Sequence, residues 1–182
     1  MKNVGIQKLK SLGILGLVVL LGACGMEVPE SYRGEFVEAS TGLQLKLESK
    51  KGILSNSAGV LREQAVRELK FEEVSKAQSG IFMRAVPGDE KAFDVFMLNP
   101  KPETRKEGGG LIWMQAEVQY GRFRSDIKEK VNEIQILQSQ EALLQLDTVE
   151  KKWQIGWPPG ALILNFVRKP ESRTRHSDLV LH

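Results

Sequence analysis

Cysteine and histidine are nearly missing from this 182-residue chain: there is one Cys, Cys24, and two His, His176 and His182, both within the last seven residues. A lone thiol cannot close an intrachain disulfide, so an exported form of this chain must draw its stability from its core. A zinc centre needs several thiolate or imidazole ligands in one place, and two tail histidines do not supply them. The chain also has little charge of one sign in excess, with 26 Lys and Arg against 23 Asp and Glu. Long hydrophobic runs are absent except for one, residues 11–23 (SLGILGLVVLLGA).

That run follows Lys2, Lys8 and Lys10 with no acid between them. Thirteen helical residues rise about 20 Å, short of the roughly 30 Å hydrocarbon core, so the pattern is a basic n-region and an h-region of a secretory signal. The run ends Leu21-Gly22-Ala23-Cys24, which resembles the lipobox of bacterial lipoproteins. The resemblance implies a diacylglycerol on Cys24 and cleavage before it. It also implies retention at the outer membrane of a double-membraned cell, because Gly25 rather than Asp follows the cysteine. The physics agrees, since two or three acyl chains at about 0.8 kcal/mol per buried methylene anchor durably where one does not.

Cleavage would leave 182 less 23, or 159, residues, enough for one domain. It would also remove three Lys, so that 26 less 3 leaves 23 bases against 23 acids. The apparent basicity belongs to the signal, and a nucleic-acid partner loses its compositional support. Residues 24–31 read as a lipidated N-terminus and short tether, 32–168 as the folded domain, and 169–182 as a polar tail.

From Tyr32 onward apolar residues recur with period two between turn residues, the mark of half-buried strands. Ile112, Met114, Ala116, Val118 and Tyr120 share one face, opposite Gln115, Glu117 and Gln119. Leu43, Leu45 and Leu47 alternate in the same way, as do Leu144 and Leu146, and Trp153, Ile155 and Trp157. Residues 81–86, 93–98 and 161–167 are apolar on both sides and read as strands covered on both faces. Turns are marked by Ser40-Thr41-Gly42, Pro87-Gly88-Asp89 and Trp157-Pro158-Pro159-Gly160. The pattern predicts a mainly β fold, a single antiparallel barrel or sandwich of about 8–10 strands. Residues 60–74 carry both periods, and a strand over 66–74 is expected. Phe123 falls on the polar side of its strand, so a bulge at Gly121 is expected to turn it inward. Tyr32-Arg33-Gly34-Glu35-Phe36 resembles the Gly-x-Trp opening of lipocalin-type barrels over three residues, with Phe in place of Trp, and the resemblance implies a cup-shaped barrel.

Trp153 and Trp157 share a strand face and form the candidate ligand platform for sugar rings or apolar ligands. Tyr120-Gly121-Arg122-Phe123-Arg124 interleaves aromatics with bases, but Asp126 and Glu129 close by favour a solvated hairpin end. Asn99 to Gly110 reads as a flexible connection, with no Gly-Lys-Ser/Thr to make a phosphate loop. Ser125-x-x-Lys128 lacks the Lys-Thr-Gly strand that penicillin-recognising enzymes need. His176-Ser177-Asp178 has triad residue types in adjacent positions that cannot form a relay. No catalytic residue and no cofactor is therefore expected. The expectation is a membrane-anchored, periplasm-facing envelope lipoprotein that binds an envelope protein partner; the alternative is a lipocalin-like carrier of a small apolar or glycan ligand. A carrier should enclose a sizeable cavity, whereas an interaction module should have a filled core and apolar patches outside.

Overall fold

The computed structural model describes residues 26–170. The signal at 1–23, Cys24, and the histidines of the tail lie outside them. Strand makes up 61% and helix 8%. The strands are β1 (Gly34–Glu38), β2 (Gln44–Leu47), β3 (Lys51–Asn56), β4 (Gly59–Glu68), β5 (Gly80–Val86), β6 (Asp89–Pro100), β7 (Lys106–Gly108), β8 (Leu111–Arg124), β9 (Glu133–Asp147), β10 (Lys152–Gly156) and β11 (Leu162–Arg168). Nine of them close into a barrel, in the order β9-β11-β1-β2-β3-β4-β5-β6-β8 and back to β9. Closure leaves no free edge in the ring for edge-to-edge association.

Local chemistry sets the hairpins. After β1 the Glu38 carboxylate accepts hydrogen bonds from the Ser40 and Thr41 hydroxyls and from the Thr41 N–H at 2.7 Å, and Gly42 takes a φ of 70°. These bonds hold the Glu38 carboxyl down to about 2, the Thr41 hydroxyl contributing most. Between β9 and β10 the Asp147 carboxylate accepts from the N–H groups of Val149 and Glu150 at 2.9 and 2.8 Å. Such side-chain bonds to the backbone two and three residues on fix a turn without help from the core.

The connection from β4 to β5 departs from the hairpin pattern by joining parallel neighbours. β4 and β5 run parallel, paired Val66 with Ile81, Arg67 with Phe82 and Glu68 with Met83. The link between them contains the short helix α1 (Phe71–Ser75), so the strand expected over 66–74 is displaced. It occupies Gly59–Glu68, and the chain then turns helically. The alternation of Leu69 and Phe71 with charged neighbours imitates a strand. A crossover to a parallel partner must instead rise over the sheet, and the helical turn places Leu69, Phe71 and fully buried Val74 on its outer face.

The molecule has two apolar cores. Inside the barrel lie Phe36, Leu45, Leu47, Ile81, Met83, Val95, Phe123, Ile136, Leu164 and Phe166. Outside it, Phe82, Phe96, Leu98, Met114, Val118, Leu144 and Leu146 form a second core on the outer face of β5, β6, β8 and β9. This core is covered by α1 and by β10, which pairs with the far half of β9. β6 over Ala92–Leu98 and β5 over Gly80–Met83 are thus buried on both faces, whereas residues 84–86, expected to be covered on both sides, are partly exposed. β11 is not buried on both faces: Ile163 and Val167 are 63% and 46% exposed, because nothing among the described residues covers its outer side.

The two cores also correct the expected bulge at Gly121. β6 and β8 pair without a break from Ala92–Arg124 to Pro100–Ala116. Phe123 is buried on the inner face and Tyr120 on the outer, so strict alternation serves both cores and no slip is needed. The irregularity falls on the other side of β8, where Ala116 faces Ala142 but Val118 faces Ser139. The extra residue in β9 switches its apolar positions from Ile134 and Ile136, inside, to Ala142, Leu144 and Leu146, outside.

The segment before β1 is part of the domain. Val28 is 1% exposed, its N–H donates to Ser49 O at 2.9 Å, and the Tyr32 hydroxyl accepts from Arg124 N–H at 3.0 Å. Arg168 stacks 4.5 Å over the Phe36 ring and donates to the carbonyls of Val131, Arg33 and Ser31 at 2.8, 2.8 and 3.0 Å. The tether expected over 24–31 is therefore docked into the barrel mouth from Val28 onward.

Candidate functional site

The barrel interior is filled almost completely by side chains. Its cavity, lined by Val28, Leu54, Ile81, Met97 and Phe166 among others, measures about 30 Å³. That is room for one or two waters, against the several hundred Å³ that small-molecule pockets enclose.

The outer face carries a different arrangement. The registers align Arg84 of β5 with Asp94 of β6, and Asp94 with Arg122 of β8. One rung further, Phe82, Phe96 and Tyr120 are aligned in the same way. Alternation puts both rungs on the outer side, where β10 lies across them. Asp94 is 2% exposed and is the centre of the polar rung. Its Oδ1 accepts from the Tyr120 hydroxyl at 2.9 Å and from Arg122 Nε at 2.8 Å, and its Oδ2 accepts from Arg122 Nη2 at 3.4 Å. Arg84 Nε lies 3.5 Å from Oδ2, is buried, and makes no hydrogen bond. A buried carboxylate needs such partners, and cross-strand placement delivers them at minimal entropic cost. Burial, and then the bond to Asp94, push the Tyr120 hydroxyl up, and the Asp94 hydrogen bond raises the Arg122 guanidinium further.

The aromatic positions divide their work. Trp153 meets Phe96 edge-on at 5.4 Å and takes the Arg84 guanidinium over its own ring at 4.8 Å, with Phe96 5.2 Å from the same guanidinium. Trp153 thus positions Arg84, and it also lines the groove beside it. Trp157 packs 6.3 Å from Tyr120 and lines the groove beside Arg122. The groove has a volume of about 280 Å³ and adjoins a recess of about 500 Å³ that shares Arg84, Trp153 and Gln154 with it and is flanked by Lys151 and Lys152.

Of the residues singled out in the sequence, Trp153 and Trp157 do share one face, and Tyr120 and Arg122 join them in the groove. The rest of that basic aromatic stretch goes elsewhere: Phe123 into the barrel, and Arg124 to Asp89 and Asp126 at a hairpin end, each at 3.0 Å. Asn99–Gly110 contains a 3-10 turn (Pro102–Thr104) and β7, so it is shorter as a loop than expected. Ser125 donates to Lys91 O from an exposed turn. Arg84 and Asp94 were not singled out; the signal was an acid inside the apolar run Phe93–Leu98. No family model matches the chain, and no curated protein or solved structure matches it significantly. Among the described residues no helix is long and apolar enough to cross a membrane, and no group of acids, His or Cys is arranged to hold a metal ion.

Proposed function

We propose that this chain is a lipid-anchored envelope lipoprotein, held at the outer membrane through Cys24 and facing the periplasm, that works as a binding module on the outside of its barrel. The observation that carries the reading is the filled interior, whose cavity of about 30 Å³ is an order of magnitude below what a carried ligand needs. Two features outside the barrel support it. One is the groove built on Arg84, Asp94, Arg122 and Trp157. The other is the uncovered apolar side of β11, with Ile163 and Val167, of the kind that marks contact surfaces.

Native mass spectrometry of the full chain, purified gently in a non-ionic detergent, tests the location of binding. The expected spectrum contains the acylated chain with no small molecule that survives until unfolding. An apolar ligand retained through mild activation and lost only on denaturation would overturn the reading in favour of a carrier.

A further inference from the structure

Resting on the reading that binding occurs outside the barrel, we infer that the Arg84–Asp94–Arg122 ladder beneath β10 is an oxyanion site for an acidic sugar, a ring bearing a carboxylate or phosphate. Two guanidinium groups converge on one buried carboxylate, at 2.8 and 3.5 Å, so the ladder holds one positive charge more than it neutralises. Both remain open to the groove, with side chains 40% and 54% exposed. Asp94 uses one edge of the Arg122 fork, and the buried Nε of Arg84 is turned towards Asp94, which leaves the outer Nη edge of Arg84 on the groove side. Fixed planar donors with spare N–H groups match the paired oxygens of a carboxylate or phosphate.

Rigidity favours a site over a surface ion pair. Arg84 is held between Phe96 and Trp153, and Arg122 is held by Asp94, so neither guanidinium must be ordered when an anion arrives. The space exceeds that of a bare anion several-fold, and its free wall is the indole of Trp157 beside Ile155. A flat apolar wall next to a cationic fork suits a sugar ring, whose C–H face packs on the indole while its acid meets the arginines. The adjoining recess is of mixed charge, with Lys151 and Lys152 beside Asp147 and with Lys152 paired to Glu150 at 2.6 Å, so the anion preference is confined to the two arginines.

Tryptophan fluorescence and calorimetry on the full chain in non-ionic detergent, with D-glucuronate, glucose 6-phosphate, D-glucose and inorganic phosphate as probes, test the assignment. Saturable binding of the two sugar acids is expected, about tenfold tighter than glucose or inorganic phosphate. Arg84→Gln should weaken both sugar acids about tenfold, and Arg84→Lys should retain part of the affinity. Trp157→Ala should weaken the sugar acids and leave inorganic phosphate unchanged. Glucose binding as tightly as glucuronate overturns the charge assignment, and phosphate binding as tightly as the sugar acids overturns the sugar. No saturable response to any probe, or unchanged affinity in a folded Arg84→Gln chain, overturns the site itself. None of these results bears on the barrel interior, whose occupancy mass spectrometry reports separately.

Discussion

A methyl group added at Gly121 tests the claim that β8 serves two cores without a bulge. A Cβ built there would stand 2.8 Å from Ile136 Cδ1 and 3.4 Å from Gln135 O, both belonging to neighbouring β9. Overpacking of this kind costs about 1–3 kcal/mol. Replacing Gly within a strand returns about 0.5–1 kcal/mol of chain entropy. Gly121→Ala should therefore destabilise by about 1–2 kcal/mol, a fall in Tm of about 2–8 °C for a domain of this size. Ile136→Val deletes the opposing Cδ1 and by itself costs about 0.5–1.5 kcal/mol. In the double variant the alanine methyl occupies the vacated space, so the combined loss should fall short of the sum by about 1 kcal/mol. Urea unfolding of all four proteins, with m-values compared, measures this coupling. Additivity within about 0.3 kcal/mol, or a stabilised Gly121→Ala, would refute the inner-face placement and return the bulge to Gly121.

Three further outcomes are expected. The Glu38 carboxyl is held at about 2 against an ordinary 4.5, so its contribution is complete above pH 4.5 and is lost as pH falls towards 2; Glu38→Gln should flatten the pH dependence of the unfolding midpoint across that window, and an unchanged acid limb would show the turn bonds to be inert. Arg168→Lys keeps the charge but loses the fork to three carbonyls and the stack on Phe36, and should cost about 2–4 kcal/mol, read by thermal melting; a loss under about 0.5 kcal/mol would mean that Arg168 does not hold the barrel mouth. Cys24→Ser should abolish incorporation of labelled palmitate and leave the precursor uncleaved, whereas normal processing of that variant would sink the anchor assignment.

The strands were legible where one face is wet and the other dry. Leu45 and Leu47, or Leu144 and Leu146, alternate against polar neighbours, and the pleat turns that alternation directly into an inside and an outside. Legibility failed where a strand touches two cores. In Leu111–Arg124 the inward set ends at Phe123 and the outward set at Tyr120, and a reader expecting one core sees a slip in place of two full faces. It failed again where a covering element is absent, since the apolar side of Leu162–Arg168 looks in sequence like that of doubly buried β6. Trp153 and Trp157 were visible because one period-two run carries both, with Trp157 just past the end of β10. Arg84, Asp94 and Arg122 lie on three strands, and only the register between those strands brings them into a line. Long-range register is the quantity that local periodicity leaves open.

Strands that alternate in direction around a closed ring must be even in number, and nine is odd. One like-directed neighbour pair is therefore a topological necessity, met by the three residue pairs between β4 and β5. That join and the contact between β9 and β11 divide the cylinder into two leaves. The leaf of β11, β1, β2, β3 and β4 is a single layer with a wet outer side, while the leaf of β5, β6, β8 and β9 is backed by a second core. Slanted parallel bonds are the weaker kind, so breathing of the cylinder should be taken up by the thin leaf. The Arg84–Asp94–Arg122 line crosses only the thick one. Whatever binds there meets the stiff half of the molecule.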